Sequence, residues 1–321
     1  MSHIFDALRR SEAERAGTDF ATLSGATALL QRAERRAASK WEAADKSEQL
    51  GATKSTELEK PLGAPLIAKE SEHTAAVISQ TDERSDPFGQ FKSLQVSLDP
   101  QSRMLCVTDS GSPAAEAFRL LGVRLRHLRR HRPLKTVLVT STIPQEGKSL
   151  VAANLACTLA LRTQEKILLL EGDLRRPSLS QKFGLGRISG LCEYLQGERR
   201  LTTSIYQLEG LNLWILSAGS TPSNAEELLQ SARLSGLMAE LAAWFDWIII
   251  DSPPVLPLAD TSVWMRLADG ILLVTRQGTT EKRRLQRGLE ALEPKKLIGA
   301  LANGSKNAAD SNYYSSPVTA P

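Results

Sequence analysis

Acidic residues follow two of the apolar runs in this sequence. Glu171 and, two positions later, Asp173 come after the apolar residues 168–170, and Asp251 comes directly after the apolar residues 248–250. If these runs are parallel strands, their carboxyl ends meet at one edge of a sheet, where ligands bind. Carboxylates suit Mg²⁺ there, because this ion takes few protein oxygens and keeps several waters. A single acidic residue after a strand usually belongs to a turn or caps a helix, so the prediction depends on the three residues occurring together.

A third apolar run leads into the segment Thr140-Ser-Thr-Ile-Pro-Gln-Glu-Gly-Lys-Ser149, which is followed by a helical pattern. The ending Gly-Lys-Ser is typical of a P-loop, although Thr142 stands where that motif has its first glycine. In a P-loop, N–H groups at the helix start bind phosphate oxygens, the lysine reaches the β- and γ-phosphates and the hydroxyl binds Mg²⁺. A chance Gly-Lys-Ser at a helix start is the alternative, and the two acidic strand ends argue against it.

Together these polar residues predict a Mg²⁺-nucleotide site. The residues predicted to bind the nucleotide are Gln145, Glu146, Gly147, Lys148, Ser149, Leu150 and Arg175. The residues predicted to hold Mg²⁺ are Ser149, Asp173 and Asp251. Arg175 is either a phosphate contact or a structural residue, and both interpretations stay open at this point.

From Met104 onward, apolar runs alternate with amphipathic helical patterns, and these elements must position the site. We predict strands at residues 136–140, 166–170, 213–216, 247–250, 271–275 and 297–301. We predict helices at residues 114–130, 148–162, 225–244, 257–267 and 281–292. The apolar runs are continuous rather than alternating, which is typical of strands buried on both faces. The predicted fold class is therefore α/β, with a mostly parallel sheet flanked by helices, as in P-loop NTPases.

Composition excludes several other classes of protein. The chain has 321 residues, of which 41% are hydrophobic and 24% charged, so most of it can build a core. Its three cysteines lie far apart, which argues against a disulfide scaffold or a zinc cluster. The net charge of +4 is too small to indicate nucleic acid. The sequence shows neither a run of 18 apolar residues nor an N-terminal signal peptide, so we expect no membrane span.

Through these motifs the sequence resembles the bacterial tyrosine kinases of capsule and exopolysaccharide synthesis, the CpsD and CapB type. Ser141 and residues 144–149 match the P-loop of that family, and residues 248–254 match its Walker B motif. Residues 168–175 match its second acidic motif, with Glu171 in place of the first aspartate. Smaller matches are Gly190, Leu191, Tyr194, Leu195 and Gly197, and then Ser223, Asn224, Glu227, Leu228 and Leu229. The resemblance extends from Pro113 to the C-terminus and implies a fold similar to that of ParA/MinD ATPases.

The resemblance implies an ATP- and Mg²⁺-dependent protein-tyrosine autokinase that regulates capsular or exopolysaccharide synthesis and export. The catalytic residues that it implies are Lys148, Glu171, Asp173 and Asp251. Glu171 would accept the tyrosine proton, although it is one methylene longer than the aspartate of the family. Tyr313 and Tyr314 are the implied phosphoacceptors. Tyr313 lies ten positions after Asn303, which allows the tail to reach about 35 Å, far enough for a neighbouring subunit.

We divide the chain into an N-terminal helical and linker region at 1–103, a P-loop kinase domain at 104–303 and a tail at 304–321. The first region is polar and rich in Ser, Thr, Glu and Pro after a short helical pattern with Ile4, Phe5 and Leu8 on one face. The family resemblance implies a membrane-spanning, co-polymerase-type activator and no nucleic acid partner. It also implies a cytoplasmic protein that reaches the inner face of the membrane through that partner. The predicted docking elements are the Ile4/Phe5/Leu8 helix and residues 251–260.

Three departures from the family keep other functions open. The oligomerisation helix of the family carries ExxRxxR, and here Glu116 and Arg119 match whereas the third position is Gly122, which puts a homo-oligomeric ring in question. Glu171 and the short tyrosine tail leave a weakly active pseudokinase scaffold as one alternative. A ParA/MinD-like ATPase switch is another, but Ile143 occupies the position of the signature lysine in those proteins.

A basic stretch runs from residue 119 to residue 135. Its members are Arg119, Arg124, Arg126, Arg129, Arg130, Arg132 and Lys135. A solvated helix face is the favoured interpretation, ahead of an oligomer contact or an acidic partner segment.

Overall fold

A computed structural model describes residues 86–96, 98, 103–161, 164–256 and 259–304. Its strands are β1 (Lys92–Leu94), β2 (Thr136–Ser141), β3 (Ile167–Glu171), β4 (Tyr206–Leu208), β5 (Leu213–Leu216), β6 (Trp247–Asp251), β7 (Gly270–Arg276) and β8 (Leu297–Asn303). Its α-helices are α1 (Leu105–Thr108), α2 (Pro113–Arg129), α3 (Lys148–Ala160), α4 (Leu179–Lys182), α5 (Leu191–Leu195), α6 (Ala225–Gln230), α7 (Ala232–Trp244), α8 (Asp260–Leu267) and α9 (Lys282–Ala291). Short 3-10 helices cover Pro87–Gln90 and Leu201–Thr203.

The described strands form one sheet in the order β1-β4-β5-β3-β6-β2-β7-β8. Neighbouring strands are parallel except for β4 and β5, which pair in antiparallel fashion. Every residue of β2, β3, β5 and β6 is buried, and two apolar clusters cover the two faces of the sheet. This is how continuous apolar strands pack when helices cover both faces. The predicted α/β fold with a mostly parallel sheet is confirmed.

The register of the central strands brings the acidic strand ends together. Glu171 at the end of β3 pairs with Asp251 at the end of β6, and Asp251 pairs with Val139 near the end of β2. The P-loop follows β2 and leads directly into α3. The central strands thus end side by side, and the polar residues that follow them share one edge of the sheet.

The elements differ from the predicted ones mainly at short segments. The predicted helix 225–244 is two helices, because Ser231 adopts an extended conformation and its hydroxyl donates to Leu228 O at 2.7 Å. Strands β1 and β4 and helices α1, α4 and α5 were not predicted. Each is only three to five residues long and carries too few residues to show a periodicity.

Aromatic side chains attach the described N-terminal segment to the sheet. The Phe88 ring centroid lies 5.0 Å from that of Trp214 and 5.4 Å from that of Phe245, and Phe91 also lies in this cluster. Lys166 Nζ lies 3.6 Å from the Phe88 ring centroid. The core therefore reaches back to Phe88, although the division at residue 103 stays a prediction. The predicted Ile4/Phe5/Leu8 helix lies outside the described residues. None of the described helices is both long and apolar enough to cross a membrane.

Candidate active site

The P-loop has two residues in the left-handed region of backbone conformation. Gly147, the residue that precedes α3, has φ of +94°, and Gln145 has φ of +68°. Glu146 between them is buried, and its carboxylate accepts a hydrogen bond from Ile143 N at 2.9 Å. No side chain caps the start of α3. The first N–H groups of this helix therefore have no side-chain acceptor, which is the arrangement that binds phosphate in P-loops.

Lys148 lies between the two predicted magnesium carboxylates. Its Nζ is 2.9 Å from Asp173 Oδ2 and 3.6 Å from Asp251 Oδ1. The same Nζ is 3.3 Å from the hydroxyl of Ser149, a side chain that also lowers the pKa of Asp251. The structure thus brings Lys148, Ser149, Asp173 and Asp251 together, as the sequence predicted.

Burial and charge compete in this cluster. Burial raises the pKa of Asp251 from 3.8 to about 6, while Lys148 and Ser149 act in the opposite direction. Burial by itself would lower the pKa of Lys148, but Asp251 and Asp173 outweigh it and raise that pKa above its usual value. Perturbed pKa values of this kind are found at functional sites, although structural ion pairs also produce them.

The same residues fit a magnesium ion that is shared with a nucleotide. Asp251 Oδ1 is buried and accepts no hydrogen bond within the described part of the chain, since Lys148 Nζ lies 3.6 Å away, so it can serve as an oxygen ligand when the lysine turns to phosphate. Ser149 and Asp173 add two further hard oxygen donors, which is what Mg²⁺ prefers. No group of three or more His, Cys, Asp or Glu side chains in the described residues could hold a metal alone. Phosphate oxygens and water would therefore have to complete the coordination.

Glu171 has contacts that differ from its predicted role. Its carboxylate is fully buried and accepts hydrogen bonds from two loops. Oε1 accepts from Ser178 N and from Leu179 N, the latter at 2.7 Å. Oε2 accepts from Ala218 N at 3.0 Å and from Ser217 Oγ at 3.2 Å. Both oxygens are engaged in joining the loop after β3 to the loop after β5, and these contacts give no support to a role as proton acceptor.

Arg175 is paired with an acidic side chain of α8. Its Nε lies 2.6 Å from Asp260 Oδ2, and Asp260 is buried at the start of α8. Beside this pair, Trp264 Nε1 donates to Gly172 O at 3.1 Å. Helix α8 thus fixes the loop that carries Asp173, which favours the structural interpretation of Arg175 over a phosphate contact.

Three residues near the P-loop were not predicted. Arg276 ends β7, Thr280 lies in the loop after it, and Asn303 ends β8. Arg276 Nη1 donates to Gln145 O at 3.3 Å, Asn303 Nδ2 donates to Glu146 O at 2.9 Å, and Thr280 Oγ1 donates to the Glu146 carboxylate. The sequence did contain a signal for two of them. Arg276 and Asn303 are polar residues at the ends of apolar strands, as the acidic residues of the site are.

The tyrosines of the described residues are packed into the domain. Tyr206 is buried in β4, and its hydroxyl hydrogen-bonds to that of Ser189 at 3.0 Å. Tyr194 lies under the guanidinium of Arg233, at 4.9 Å from the ring centroid. The chain has four tyrosines, and the other two, Tyr313 and Tyr314, lie outside the described residues.

Most of the basic side chains in this stretch have ion-pair or hydrogen-bond partners within the chain. Arg126 and Arg129 both contact Glu165, and Lys135 Nζ donates to Ala242 O at 2.7 Å. Gly122 is buried against α3, and a Cβ atom there would lie 3.6 Å from Leu159 Cδ2. The position of the third family arginine therefore faces the core of this chain.

Comparison with known proteins identifies the family. The chain is 34% identical over 215 residues to the tyrosine-protein kinase YwqD of Bacillus subtilis, a match that covers 66% of this chain and 90% of YwqD. It is 34% identical over 173 residues to the tyrosine-protein kinase CpsD of Streptococcus pneumoniae, covering 53% of this chain and 76% of CpsD. This chain belongs to the bacterial tyrosine kinases. No protein-family model matches it.

Solved structures of bacterial tyrosine kinases have the same fold. The kinase domain of the Escherichia coli tyrosine kinase ETK superposes with a TM-score of 0.59 at 29% identity, covering 63% of this chain and 79% of that domain. The VpsO kinase domain superposes with a TM-score of 0.55 at 30% identity, covering 60% of this chain and 95% of that domain. The predicted family and enzyme class are thereby confirmed, and the ParA/MinD-like switch is disfavoured.

Proposed function

We propose that this bacterial tyrosine kinase binds Mg²⁺-ATP at the Lys148 cluster and phosphorylates Tyr313 and Tyr314 of its own tail. One observation carries the proposal. The P-loop lysine, the P-loop hydroxyl and the two carboxylates at the ends of β3 and β6 come together at one buried edge of the sheet. Phosphoryl transfer depends mainly on positioning and on neutralisation of charge, and these residues supply both.

Lys148 changes partners during the reaction in this proposal. Its ammonium group balances Asp173 and Asp251 when phosphates do not compete for it. Phosphate oxygens carry more charge and lie at the start of α3, so the flexible side chain turns toward them when ATP binds. Ser149, Asp173 and Asp251 would hold Mg²⁺, whose charge would offset that of the two carboxylates and of the phosphates.

The tail tyrosines are the best phosphoacceptors that the chain offers. Tyr206 is buried in the sheet with its hydroxyl bonded to Ser189, and Tyr194 is packed under Arg233, so both are engaged within the domain. In the transfer, a tyrosine oxygen bonds to the γ-phosphorus, the bond from that phosphorus to the oxygen bridging the β- and γ-phosphates breaks, ADP leaves, and the phenol proton passes to water. Because such a transition state is loose, it needs little help from a strong base.

We further propose that the kinase acts in capsular or exopolysaccharide synthesis and that a membrane-spanning partner activates it from the inner face of the membrane. Relatives named CpsD and CapB support this assignment. The Arg175–Asp260 pair joins the predicted docking segment 251–260 to the loop that carries Asp173. A partner bound to this segment would therefore shift the population of competent sites through Asp173.

Two variants test the phosphotransfer. Purified protein is incubated with Mg²⁺-ATP, and phosphotyrosine and ADP are both measured. Lys148→Ala should abolish both products, whereas Tyr313→Phe combined with Tyr314→Phe should remove phosphotyrosine and leave ADP formation, since water can replace the hydroxyl. Phosphate found mainly on Tyr194 or Tyr206 would contradict the tail assignment. A folded wild-type protein that forms no phosphotyrosine, even with the cytoplasmic tail of a partner encoded nearby, would favour the pseudokinase alternative.

A further inference from the structure

The P-loop is held in a strained shape by residues outside it. Gln145 has φ of +68°, a conformation that is unfavourable for any residue with a side chain. Such a residue persists only when its surroundings fix it. The carbonyl groups of Gln145 and Glu146 accept hydrogen bonds from side chains at the ends of β7 and β8, at 3.3 Å from Arg276 and at 2.9 Å from Asn303.

A third contact holds the buried side chain of the same loop. Thr280 Oγ1 donates to the Glu146 carboxylate, whose other oxygen accepts from Ile143 N at 2.9 Å. Thr280 is fixed in turn, because its hydroxyl oxygen accepts from Arg276 N at 3.1 Å. We call Arg276, Thr280 and Asn303 the β7–β8 clamp.

Gly147 shows how closely the clamp approaches the loop. A Cβ atom at this position would meet Asn303 Nδ2, so a side chain here would displace that amide from the loop. The positive φ of Gly147 independently favours glycine. Asn303 is also well fixed, because its own carbonyl accepts from Gln277 N at 3.0 Å in the pairing of β7 with β8.

We propose that the β7–β8 clamp holds the P-loop in its phosphate-binding shape before the nucleotide arrives, with Asn303 as its central positioning residue. The inference rests on the proposed nucleotide site and adds three residues that touch the loop backbone or its buried carboxylate. A loop that is already ordered loses less conformational entropy when it binds phosphate, so the clamp acts on affinity for the nucleotide. It does not act on the transfer step, because none of its contacts reaches Lys148 or the two aspartates.

The test is the affinity for Mg²⁺-ADP, measured by calorimetry on the full chain, together with KM for ATP and kcat for ADP formation. Asn303→Asp is nearly isosteric but cannot donate to Glu146 O, and Asn303→Ala removes the side chain while the strand pairing keeps its backbone carbonyl. Each variant, and likewise Arg276→Ala and Thr280→Val, should raise Kd and KM roughly three- to tenfold through the loss of one hydrogen bond. The value of kcat at saturating ATP and the melting temperature should stay close to wild type.

The matched control is Asn224→Ala, since Asn224 is exposed and its amide donates only to the neighbouring Glu227. An unchanged Kd in the Asn303 variants would overturn the clamp, and so would a loss of kcat at unchanged Kd. A different result would count against the proposed function. A wild-type protein that binds Mg²⁺-ADP but forms no phosphotyrosine, even with the cytoplasmic tail of the partner, refutes the proposed phosphotransfer, whereas the clamp is still decided by the Kd values.

Discussion

At the scale of single residues, charge distinguishes the members of the site. Lys148, Asp173 and Asp251 form a compensated buried cluster, in which the positive charge lies between two carboxylates. Glu171 pairs with Asp251 on the neighbouring strand, yet its two oxygens accept hydrogen bonds from two loops. Acidic residues at neighbouring strand ends thus have different partners, with Asp173 and Asp251 paired to Lys148 and Glu171 joining two loops.

Substitution of Glu171 separates these two tasks. Glu171→Gln keeps the length of the side chain but places an NH₂ group against backbone N–H donors. We expect it to lower the free energy of unfolding by about 3 kcal/mol, since buried donors lose their acceptor. Glu171→Asp should also destabilise, because the shorter side chain cannot reach both loops. Urea unfolding measures the loss, and Glu290→Gln is the control, as Glu290 is exposed and contacts only Gln286.

A proton acceptor would behave differently in the same experiment. The pH profile of phosphotyrosine formation should be the same for wild type and for the folded fraction of Glu171→Gln. A Glu171→Gln protein of normal stability that has lost its transfer activity would restore the predicted role of Glu171 as the base.

Asp251 gives a pH dependence of stability with a definite sign. Its pKa is raised by burial from 3.8 to about 6, so between these two pH values the folded protein binds more protons than the unfolded chain. The contribution of Asp251 to stability is therefore greatest at low pH and falls as the pH rises through this window. Urea unfolding without nucleotide should show that wild type loses stability relative to Asp251→Asn over this range. A relative gain would contradict the burial of a partly compensated carboxylate.

At the scale of elements, the outer edge of the sheet is built from short pieces. Strands β1 and β4 have three residues each, and the segment before β1 contributes Phe88 and Phe91 to an aromatic cluster with Trp214 and Phe245. Local sequence offers little to hold such pieces in place. Their stability comes from packing against the sheet, which joins the described N-terminal segment to the kinase domain.

Removal of one ring tests whether this segment belongs to the folding unit. Phe91 is only 7% exposed, and we expect Phe91→Ala to lower the free energy of unfolding by about 3 kcal/mol. Phosphotransfer by the folded protein should be unchanged, since the cluster does not contact the P-loop. Leu161→Ala is the control, because Leu161 is 49% exposed. Equal stability of the two variants would show that residues 86–94 are an appendage to the domain.

The long central elements could be predicted from the sequence, and the short outer ones could not. Residues 247–250 and 271–275 were recognised as strands because a run of buried apolar side chains is a local property. Tyr206–Leu208 was missed because its strand pairing is set by distant residues. The same division holds within the site. The Gly-Lys-Ser motif and the acidic strand ends are local patterns, whereas the Glu171 contacts and the Asn303 contact depend on loops that meet only after folding.

At the scale of the whole molecule, the end of the sheet determines where the tyrosine tail starts. Asn303 is the last residue of β8, and it lies against the P-loop of its own chain. Tyr313 follows ten positions later, so its reach is measured from a point beside the site that would phosphorylate it. A group that is joined to its site by a short flexible linker has an effective concentration there on the order of millimolar. A second molecule in dilute solution offers far less.

This anchoring has a kinetic consequence. Because the tail begins beside its own active site, autophosphorylation within one chain competes with phosphorylation between two chains. Dilution should favour the reaction within one chain. We expect the initial rate constant of autophosphorylation to become independent of protein concentration once any assembly has dissociated. Mixing Lys148→Ala, which keeps its tyrosines, with an active chain that carries Tyr313→Phe and Tyr314→Phe should give slow, second-order labelling of the former. Equal rates in the mixture and in wild type at every dilution would show that the starting point of the tail gives its own tyrosines no advantage.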